Sequence, residues 1–559
     1  MAEVRIGTQE VLHIFRDSGH IDSFCRHRMP PIELQPVRDF TGIPELKYPD
    51  VMNCAGELLD SMIEGGRGDR TVFQFSGGRW TYRDLYETSN RIARVLIEDL
   101  GLIPGNRVLL RGPNNPMLAA CWFGVLKAGG VVVCTMPLLR ERELRYVADK
   151  ADIRLALTDT RFADECTAAM LTKADGSERS GGRVVHFNSD AHYSLEPMMR
   201  RKSPEFINHP TTADDIAIIA FTSGTTGEGK GTMHSHRDIM AITDTFPRYV
   251  LEPTADDLFC GSPPLAFTYA LGGLLLFPMR FGASSLLLEQ ATPPNLLKGI
   301  AEYRPTICFT APTAYRAMCG MLAGHDVSSL TKCVSAGETL PRSVFDAWQQ
   351  ATGLRIIDGI GATEMLHIFI SAAGDEIRPG ATGKVVPGYR ARVIDDNGAD
   401  VPVGTVGKLA VRGPTGCRYL DNIEQQKKYV QNGWNLTGDS YKVDADGYFW
   451  YQARTDDMII SGGYNIAGPE VENVLLEHPA VLECAVIGVP DSDRGHLVKA
   501  YIVLKPKQKG SRTLVKELQD FVKARIAPYK YPRAIEFVKA LPRTATGKLQ
   551  RYRLRESRK

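Results

Sequence analysis

The hydrophobic and polar positions of this 559-residue chain follow two alternating periods. Residues 117–127 repeat apolar side chains at helical spacing, whereas the short apolar run 131–134 is typical of a buried strand. Such windows alternate from about residue 54 to about residue 450, which predicts layered α/β structure with parallel sheets. We predict helices over residues 55–63, 86–99 and 117–127, and strands over residues 71–75, 108–110, 131–134, 284–288 and 307–309.

Three other regions have a different pattern. Residues 1–50 are polar, proline-rich and irregular, and we expect them to wrap the surface. Short alternating strands over 383–412 predict a small β-barrel or distorted sheet. From residue 454 the pattern restarts, with helices over 470–477 and 514–526 and strands over 484–487 and 500–504. We therefore predict an α/β protein. Its large N-terminal domain, 1–453, contains layered sheets and the small barrel, and a smaller α+β domain follows over 454–559.

Composition narrows the class of protein. Hydrophobic residues make up 43% and charged residues 24% of the chain, which is ordinary for a globular enzyme. The net charge of +2 argues against global attraction to nucleic acid or an anionic membrane. The eleven cysteines occur singly, without C-x-x-C or zinc-like spacing, which favours a reducing compartment. Because neither a signal core nor a long apolar run occurs, we expect a cytoplasmic protein.

A segment rich in glycine and hydroxyl residues follows the apolar run 216–220. Glycines let a backbone approach a phosphate, hydroxyls donate hydrogen bonds to it, and lysine supplies positive charge. The segment nearly matches the NTPase P-loop pattern, but Gly231 stands where a hydroxyl is required. A mobile glycine-rich turn is the other alternative. The candidate phosphate contacts are Thr222, Ser223, Gly224, Thr225, Thr226, Gly227 and Lys230.

Three more motifs follow in order. A lone glutamate after a Gly-x-Thr turn, Glu364, suits magnesium, which binds few carboxylates beside phosphate oxygens; alternatively, Thr363 caps a helix. Asp439, in Thr-Gly-Asp, could accept both hydroxyls of a ribose or lie in a solvated turn. Lys548 follows a glycine in a basic segment, so it could reach into a cleft and stabilise a transition state, or belong to a solvated tail.

These four motifs, spread over more than 300 residues, together resemble the adenylate-forming superfamily of acyl-CoA synthetases, luciferases and peptide-synthetase adenylation domains. The resemblance covers about residues 50–559. It implies that Glu364 binds magnesium, Thr363 touches the α-phosphate, and Asp439 and Arg454 hold the ribose. It further implies that Lys548 bridges the acid and the α-phosphate. By the same resemblance the smaller domain is mobile and Asp456 is its hinge, while Gly462 and Gly463 face a tunnel for CoA. Two positions depart from the family: Gly229 replaces a proline, and Ala453 replaces a glycine.

The segment 264–273 limits the class of acid that could be the substrate. It lacks the aspartate that amino-acid-activating relatives use to neutralise an ammonium group. Segments 264–273 and 358–369 resemble benzoate-CoA ligases, and parts of the N-terminal half resemble 2-aminobenzoate-CoA ligases. The resemblance implies that Phe267 gates an acid pocket lined by Tyr269, Ala336, Gly361, His367 and Ile368. From the residues alone, ordinary core packing is the favoured interpretation of both Tyr269 and His367.

The resemblance thus implies an ATP-dependent aryl-CoA ligase. It would activate benzoate or 2-aminobenzoate as acyl-AMP and pass the acyl group to CoA. ATP, Mg²⁺ and CoA are the implied cofactor and co-substrates, with no nucleic acid or membrane partner. The oligomeric state stays open, a homodimer included. The alternatives are a ligase for alicyclic or medium-chain acids, an adenylase that loads a carrier-protein thiol, and a nucleotide-binding regulator without turnover.

Overall fold

The structure is a computed structural model. It describes residues 3–5, 11–13, 18–222, 229–454, 457–461, 464–491, 495–526, 528–544 and 549–556.

The strands, in chain order, are β1 (Glu3–Arg5), β2 (Val11–His13), β3 (Thr71–Phe75), β4 (Gly78–Thr81), β5 (Arg107–Arg111), β6 (Val131–Thr135), β7 (Leu155–Asp159), β8 (Arg183–Phe187), β9 (Ile216–Thr222), β10 (Lys230–Ser235), β11 (Leu258–Gly261), β12 (Ser284–Leu286), β13 (Ile307–Thr310), β14 (Lys332–Ser335), β15 (Ile356–Gly361), β16 (Ile368–Ser371), β17 (Lys384–Val385), β18 (Arg390–Ile394), β19 (Gly407–Arg412), β20 (Val430–Gln431), β21 (Trp434–Val443), β22 (Phe449–Arg454), β23 (Ile459–Ser461), β24 (Tyr464–Ile466), β25 (Val481–Asp491), β26 (Gly495–Leu504) and β27 (Ala534–Phe537).

The α-helices are α1 (Phe24–His27), α2 (Ser61–Glu64), α3 (Tyr82–Arg94), α4 (Pro116–Lys127), α5 (Glu141–Lys150), α6 (Ala163–Leu171), α7 (Leu195–Met199), α8 (His236–Thr243), α9 (Thr268–Ala270), α10 (Phe277–Phe281), α11 (Pro293–Tyr303), α12 (Pro312–Cys319), α13 (Arg342–Thr352), α14 (Ile423–Tyr429), α15 (Gly468–Leu476), α16 (Arg512–Lys523) and α17 (Arg551–Glu556). Wider π-helical turns adjoin several of them, at Gly56–Asp60, Val95–Asp99, Pro247–Leu251 and Leu271–Leu276.

A six-stranded sheet, in the order β10-β9-β6-β5-β7-β8, holds the first part of the chain. Its strands run parallel except for β10, which returns antiparallel to β9. β5 is buried along its whole length, as its apolar centre Val108-Leu109-Leu110 requires of a strand covered on both faces. Helix α4 packs on α3 and is itself almost entirely buried, with Asn115 as its N-cap.

A nine-stranded sheet, in the order β17-β16-β15-β14-β13-β11-β12-β3-β4, lies next to it. The six strands from β15 to β3 in this order are parallel, whereas β4, β16 and β17 pair antiparallel at the two edges. One hydrophobic cluster takes in residues of both sheets, so they share a core. The carboxyl ends of β11, β13, β14 and β15 meet at one edge, where ligands bind in open parallel sheets.

The chain continues into two smaller sheets. A curled antiparallel sheet has the order β18-β19-β21-β20, with β22 on β21. The last sheet has the order β24-β23-β26-β25, with β27 on β26, and has hydrophobic clusters of its own. The predicted fold class is confirmed: a large layered α/β part, a curled sheet and a smaller C-terminal α+β part. The exact boundary between the two domains and the mobility of the smaller domain stay predictions.

Several predicted elements differ in detail. Residues 1–50 are not wholly irregular, because β1, β2 and α1 lie in them. The strand predicted over 284–288 ends at Leu286, and the strand predicted over 484–487 extends over Val481–Asp491, since pairing with β26 carries it further. All eleven cysteines, which fall within the described ranges, are free thiols. In those ranges no helix has the length and apolar character needed to cross a bilayer.

Candidate active site

The segment rich in glycine and hydroxyl residues connects β9 to β10. Thr222, the last residue of β9, pairs in register with Lys230, the first residue of β10. The two therefore stand opposite each other at the mouth of the loop. The Tyr146 hydroxyl donates a hydrogen bond to the Gly229 carbonyl at 2.9 Å, which ties one end of the loop to α5. The other predicted loop residues lie outside the described residues: Ser223, Gly224, Thr225, Thr226 and Gly227.

Lys230 has polar and aromatic neighbours. Its Nζ donates to Gln425 Oε1 at 3.2 Å and stands 5.7 Å from the centre of the Tyr419 ring. Within the described ranges no carboxylate pairs with it. Its positive charge is therefore not neutralised there and can serve an anionic ligand.

The Gly-x-Thr-Glu motif forms a three-residue 3₁₀ turn, Thr363–Met365, directly after β15. Ala362 precedes the turn and no side chain caps it, so the alternative that Thr363 caps a helix is wrong. His234 Nε2 donates to the Thr363 carbonyl at 2.7 Å. Burial lowers the pKa of His234 to about 4, so the ring is neutral at pH 7. The turn is thereby joined to β10, the strand that leaves the phosphate loop.

Glu364 is held by a second aromatic residue. The Tyr419 hydroxyl donates to Glu364 Oε1 at 2.6 Å, and Oε2 has no partner among the described residues. In the same ranges no group of three His, Cys, Asp or Glu side chains could hold a metal ion by itself. A single carboxylate with one oxygen free fits Mg²⁺, which takes one or two protein carboxylates together with substrate phosphates.

The backbone reverses directly after this turn. Leu366 has φ +70° and ψ −42°, a conformation that is a genuine outlier for a bulky residue. The Thr415 hydroxyl donates to the neighbouring Met365 carbonyl at 2.8 Å and helps to hold the reversal. As a result Glu364 reaches Tyr419, while His367 lies against Tyr269.

Asp439 and Arg454 are cross-strand neighbours on β21 and β22. Arg454 NH1 lies 3.2 Å from Asp439 Oδ1 and donates to the Thr437 carbonyl at 3.0 Å. Gly438 has φ +77°, and a Cβ there would lie 2.6 Å from Arg454 NH2, so glycine makes room for the guanidinium. The motif lies inside a ten-residue strand, so the alternative of a solvated turn is wrong.

Tyr269 and His367 meet at the carboxyl ends of the parallel strands. The Tyr269 hydroxyl donates to the carbonyls of Thr310 and Val334, at 3.3 and 3.1 Å. His367 Nε2 donates to the Tyr269 carbonyl at 3.2 Å, and the two rings lie 5.8 Å apart. Burial lowers the pKa of His367 to about 3, and its Nδ1 has no partner in the described residues. His367 is therefore neutral at pH 7, and the pair packs as two uncharged aromatic rings.

Other aromatic rings complete this cluster, and no sequence motif pointed to them directly. Phe277 meets the His367 ring edge-on at 4.5 Å, and Phe309 lies 5.6 Å from Tyr269. A Cβ at Gly272 would overlap the His367 ring, and one at Gly273 would overlap Phe309. The two consecutive glycines in the Tyr-x-Leu-Gly-Gly segment are thus the signal that points to this close packing.

The remaining predicted pocket residues surround that cluster. Ala336 is buried and directly follows β14, while Gly361 pairs with Ile368 across β15 and β16. A Cβ at Gly361 would lie 2.8 Å from the His367 carbonyl carbon, so only glycine fits. Phe267 is half-buried and directly precedes α9. The structure thus gathers Tyr269, Gly361, His367 and Ile368 around β15 and α9.

Asp358 is a further candidate that the sequence reasoning passed over. It lies on β15 three residues before Gly361, and its Oδ1 is shielded from solvent without a partner in the described residues. Burial raises the pKa of its carboxyl to about 8. A shielded carboxylate oxygen without a partner marks a position where a hydrogen-bond donor of a ligand could bind.

Lys548, Asp456, Gly462 and Gly463 lie outside the described residues. The described residues nearest to Lys548 are Thr544 and those from Leu549 onward. Arg543 and Leu549 form an antiparallel bridge, and Arg543 lies 3.0 Å from Glu483 and 3.7 Å from Glu338. Glu338 follows Ala336 by two residues. Arg543 therefore lies close to the chain that follows Ala336.

Comparison with known proteins identifies the family. Residues 64–419 match the model of the AMP-binding enzyme family, and residues 470–548 match that of the AMP-binding enzyme C-terminal domain. The chain is 37% identical over 524 residues to a benzoate–CoA ligase of Thauera aromatica, which covers 92% of this chain and 98% of the relative. It is 32% identical over 537 residues to the human mitochondrial acyl-coenzyme A synthetase ACSM3, covering 92% of this chain and 90% of the relative.

Solved structures agree with this. The anthranilate CoA ligase AuaEII, solved with anthranoyl-AMP, is 35% identical with a TM-score of 0.85, covering 92% of this chain and 99% of that one. A benzoate CoA ligase from Burkholderia xenovorans LB400 is 33% identical with a TM-score of 0.81, covering 90% and 100%. The family and the enzyme class predicted from the sequence are therefore confirmed: this chain belongs to the AMP-binding enzyme family, as an AMP-forming acid–thiol ligase of the acyl- and aryl-CoA synthetase type.

Proposed function

We propose that this chain is an ATP-dependent aryl-CoA ligase, which joins an aromatic acid to AMP and then transfers the acyl group to CoA. The observation that carries the proposal is the aromatic cluster around His367, which lies only three residues from Glu364. A ring-bearing acid seated against that cluster would hold its carboxylate near a nucleotide bound at the Thr363–Met365 turn.

The chemistry of the candidate pocket favours an uncharged ring. The Tyr269 hydroxyl is already hydrogen-bonded to two backbone carbonyls, and His367 is neutral. A bound acid would therefore meet the apolar faces of these rings. An α-amino acid would need a counter-ion for its ammonium group, and segment 264–273 has none. Relatives that are named for benzoate and anthranilate support benzoate and 2-aminobenzoate as comparable candidates. Alicyclic and medium-chain acids are the rivals.

The first half-reaction would occur between this pocket and the phosphate loop. An oxygen of the acid carboxylate attacks the α-phosphorus of ATP, the bond to the β-phosphate bridging oxygen breaks, and pyrophosphate leaves. Lys230, Thr222 and Thr363 would stabilise the phosphate charge, and Asp439 with Arg454 would hold the ribose. The loop residues Ser223, Gly224, Thr225, Thr226 and Gly227 would add hydrogen bonds. Glu364 would hold Mg²⁺, which when bound neutralises phosphate charge.

Lys548 would bridge the acid and the α-phosphate in this step. The ion pairs of Arg543 with Glu338 and Glu483 support this role, because they bring the flanking chain to the edge of the pocket. In the second half-reaction the smaller domain, 454–559, would rotate about Asp456 and withdraw Lys548. Gly462 and Gly463 would then face the CoA arm. The CoA thiolate attacks the acyl carbon, the acyl–phosphate oxygen bond breaks, and AMP leaves.

The test is a screen of AMP release that depends on acid, ATP and CoA together. The acids are benzoate, 2-aminobenzoate, 3- and 4-hydroxybenzoate, cyclohexanecarboxylate, octanoate and phenylalanine. We expect the highest kcat/KM with benzoate or 2-aminobenzoate, and no AMP release with phenylalanine. A higher value with cyclohexanecarboxylate or octanoate would refute the aromatic substrate class.

The acceptor needs a second arm of the same assay. Omission of CoA should leave acyl-AMP bound with one pyrophosphate released per enzyme, and CoA should restore turnover. Faster acyl transfer to a holo-carrier protein than to CoA would favour the carrier-loading alternative. Absence of acid-dependent pyrophosphate release with every acid would favour a regulator that binds nucleotide without turnover.

A further inference from the structure

One aromatic residue outside the predicted motifs contacts two of them at once. Tyr419 follows the curled-sheet strand β19, and its side chain is almost fully buried. Its backbone forms a bridge with Thr232, and the neighbouring Leu420 N–H donates to the Gly231 carbonyl at 2.8 Å. The segment that carries Tyr419 thus pairs with β10, the strand that leaves the phosphate loop.

The side chain of Tyr419 then reaches the Gly-x-Thr-Glu turn. Its hydroxyl donates to Glu364 Oε1 at 2.6 Å, and the Lys230 ammonium stands 5.7 Å from its ring centre. The Tyr419 backbone N–H is in turn fixed by Gln426 Oε1 at 2.9 Å, and Gln426 is itself buried. Tyr419 is therefore a rigid support that fixes one carboxylate oxygen and leaves the other free.

The neighbouring residue strengthens that support. Arg418 pairs with Asp238, and both side chains are buried. The Met233 N–H donates to the Arg418 carbonyl at 2.8 Å. These contacts fix residues 418–420 to the strand β10 and to the helix α8 that follows it, so the position of Tyr419 is set independently of any ligand.

We propose that Tyr419 is a positioning residue for the magnesium-holding carboxylate: its hydroxyl orients Glu364 so that Oε2 faces the metal on ATP. The inference rests on the proposed function, in which Glu364 holds Mg²⁺. Partners that orient a ligating side chain commonly contribute about 10- to 100-fold to metal affinity or activity. Since Tyr419 does not itself touch the metal, the loss should appear as weaker metal binding rather than as a different reaction.

The alternative is that Tyr419 is only packing. The chain offers a matched control for it, because Tyr429 is a half-buried tyrosine with a buried hydroxyl, and its ring meets Tyr419 edge-on at 5.9 Å. The Tyr429 hydroxyl has no hydrogen-bond partner among the described residues. Tyr419→Phe and Tyr429→Phe therefore each remove one buried hydroxyl from the same cluster, but only the first removes a bond to Glu364.

The experiment is a titration of the full-length enzyme with Mn²⁺ in the presence of α,β-methylene-ATP, with free Mn²⁺ followed by electron paramagnetic resonance. We expect Tyr419→Phe to weaken Mn²⁺ binding about tenfold and Tyr429→Phe to leave it within about twofold of wild type. In turnover assays, Tyr419→Phe should raise the half-saturating Mg²⁺ concentration about tenfold, while kcat at saturating Mg²⁺ largely recovers. Thermal unfolding midpoints identify any variant that fails to fold.

Glu364→Gln tests the proposed metal-binding role of Glu364 separately from the positioning role of Tyr419. If it leaves Mn²⁺ affinity unchanged, the proposed role of Glu364 fails, and the role of Tyr419 fails with it. If it weakens binding while Tyr419→Phe matches Tyr429→Phe, only the Tyr419 inference is overturned. In the double variant, Tyr419→Phe should add less than about twofold to the effect of Glu364→Gln, since one acts through the other. Full additivity would mean that Tyr419 acts elsewhere, even if the single variant is unstable.

Discussion

The candidate acid pocket and the candidate nucleotide site adjoin the same short turn, yet they are built in opposite ways. Around His367, rings and glycines meet with few hydrogen bonds, and shape comes from close packing. Around Glu364, hydrogen bonds connect the strand β10, the Thr363–Met365 turn and the segment after β19. The pocket should therefore tolerate changes of size poorly, and the nucleotide site should tolerate loss of charge or of a donor poorly.

The strongest test removes the residue that would act on both regions. Lys548→Ala should lower the rate of acyl-AMP formation by about 100- to 1,000-fold, because one positive charge would bridge acid and α-phosphate in the transition state. Thioester formation from preformed acyl-AMP and CoA should stay near the wild-type rate. Rapid-quench assays of each half-reaction measure this.

The matched control for that variant is Lys539→Ala, which removes an exposed lysine from the same C-terminal region. It should change neither half-reaction. Equal loss of both half-reactions in Lys548→Ala would contradict the rotation of the smaller domain.

The nucleotide side alone is tested by Asp439→Ala. Loss of a charged acceptor bonded to Arg454 should raise KM for ATP by about 10- to 100-fold, as charge-assisted hydrogen bonds contribute about 1.5–3 kcal/mol. KM for the acid should change little. Asp446→Ala, at an exposed turn between the same two strands, is the control. Equal increases in KM for ATP and for the acid would contradict the assignment of Asp439 to the nucleotide site alone.

The acid side alone is tested by Gly272→Ala. The added methyl overlaps the His367 ring, so overpacking should lower the free energy of unfolding by about 1–3 kcal/mol. KM for the acid should rise while KM for ATP holds. Gly320→Ala is the control, because a Cβ there has ordinary contacts and φ is −75°. Equal thermal midpoints for the two variants would show that the packing is looser than described.

Each region also holds a buried histidine, His367 in the pocket and His234 beside the turn. Burial lowers the pKa values to about 3 and about 4, below the ordinary 6.5. The unfolded chain therefore binds protons at a higher pH than the folded chain does. Stability is complete above about pH 6.5 and falls as the pH drops toward 4, by about 1.4 kcal/mol per pH unit for each histidine.

Thermal midpoints at pH 7.5, 6 and 5 check this. His367→Gln keeps an N–H donor for the Tyr269 carbonyl and cannot titrate in this range, so it should reduce the acid sensitivity, as should His234→Gln. The exposed His27 supplies the control His27→Gln, which should leave the pH profile unchanged. An unchanged profile in both buried variants would mean that neither histidine resists protonation.

The smallest effect is expected at Ala453, where the family has glycine. The residue is buried on β22 next to Arg454. Ala453→Gly should lower the free energy of unfolding by about 0.5–1 kcal/mol through backbone entropy and leave KM for ATP within about twofold. A larger change in KM would show that the methyl group shapes the ribose site.

The sequence predicted the parts of this molecule whose causes are local. Periodicity identified the helix at Pro116–Lys127 and the strand at Thr71–Phe75, because burial of one face imposes a repeat along the chain. It missed the ends of β12 and β25, where pairing with neighbouring strands decides the length. Local pattern carries no information on that pairing.

The same limit applies to the candidate site. Motifs pointed to Glu364, Asp439 and Arg454, and the last two are indeed neighbours across β21 and β22. Nothing in the sequence pointed to Tyr419, because 55 residues separate it from Glu364 and only the pairing of its segment with β10 brings them together. Phe309 was missed for a similar reason. A phenylalanine in a buried strand looks like ordinary core in the sequence, and only the fold shows that Gly273 packs directly against its ring.

The backbone reversal at Leu366 has a consequence for substrate checking. A non-glycine residue there holds a conformation that costs about 1–3 kcal/mol, so the surrounding contacts must keep the reversal in place. Glu364 and His367 stand on either side of that reversal. An acid too large for its seat would press on the imidazole, rotate the reversal and carry the carboxylate away from the phosphates. If the chain is the proposed ligase, misfit of the acid would then slow the attack on ATP.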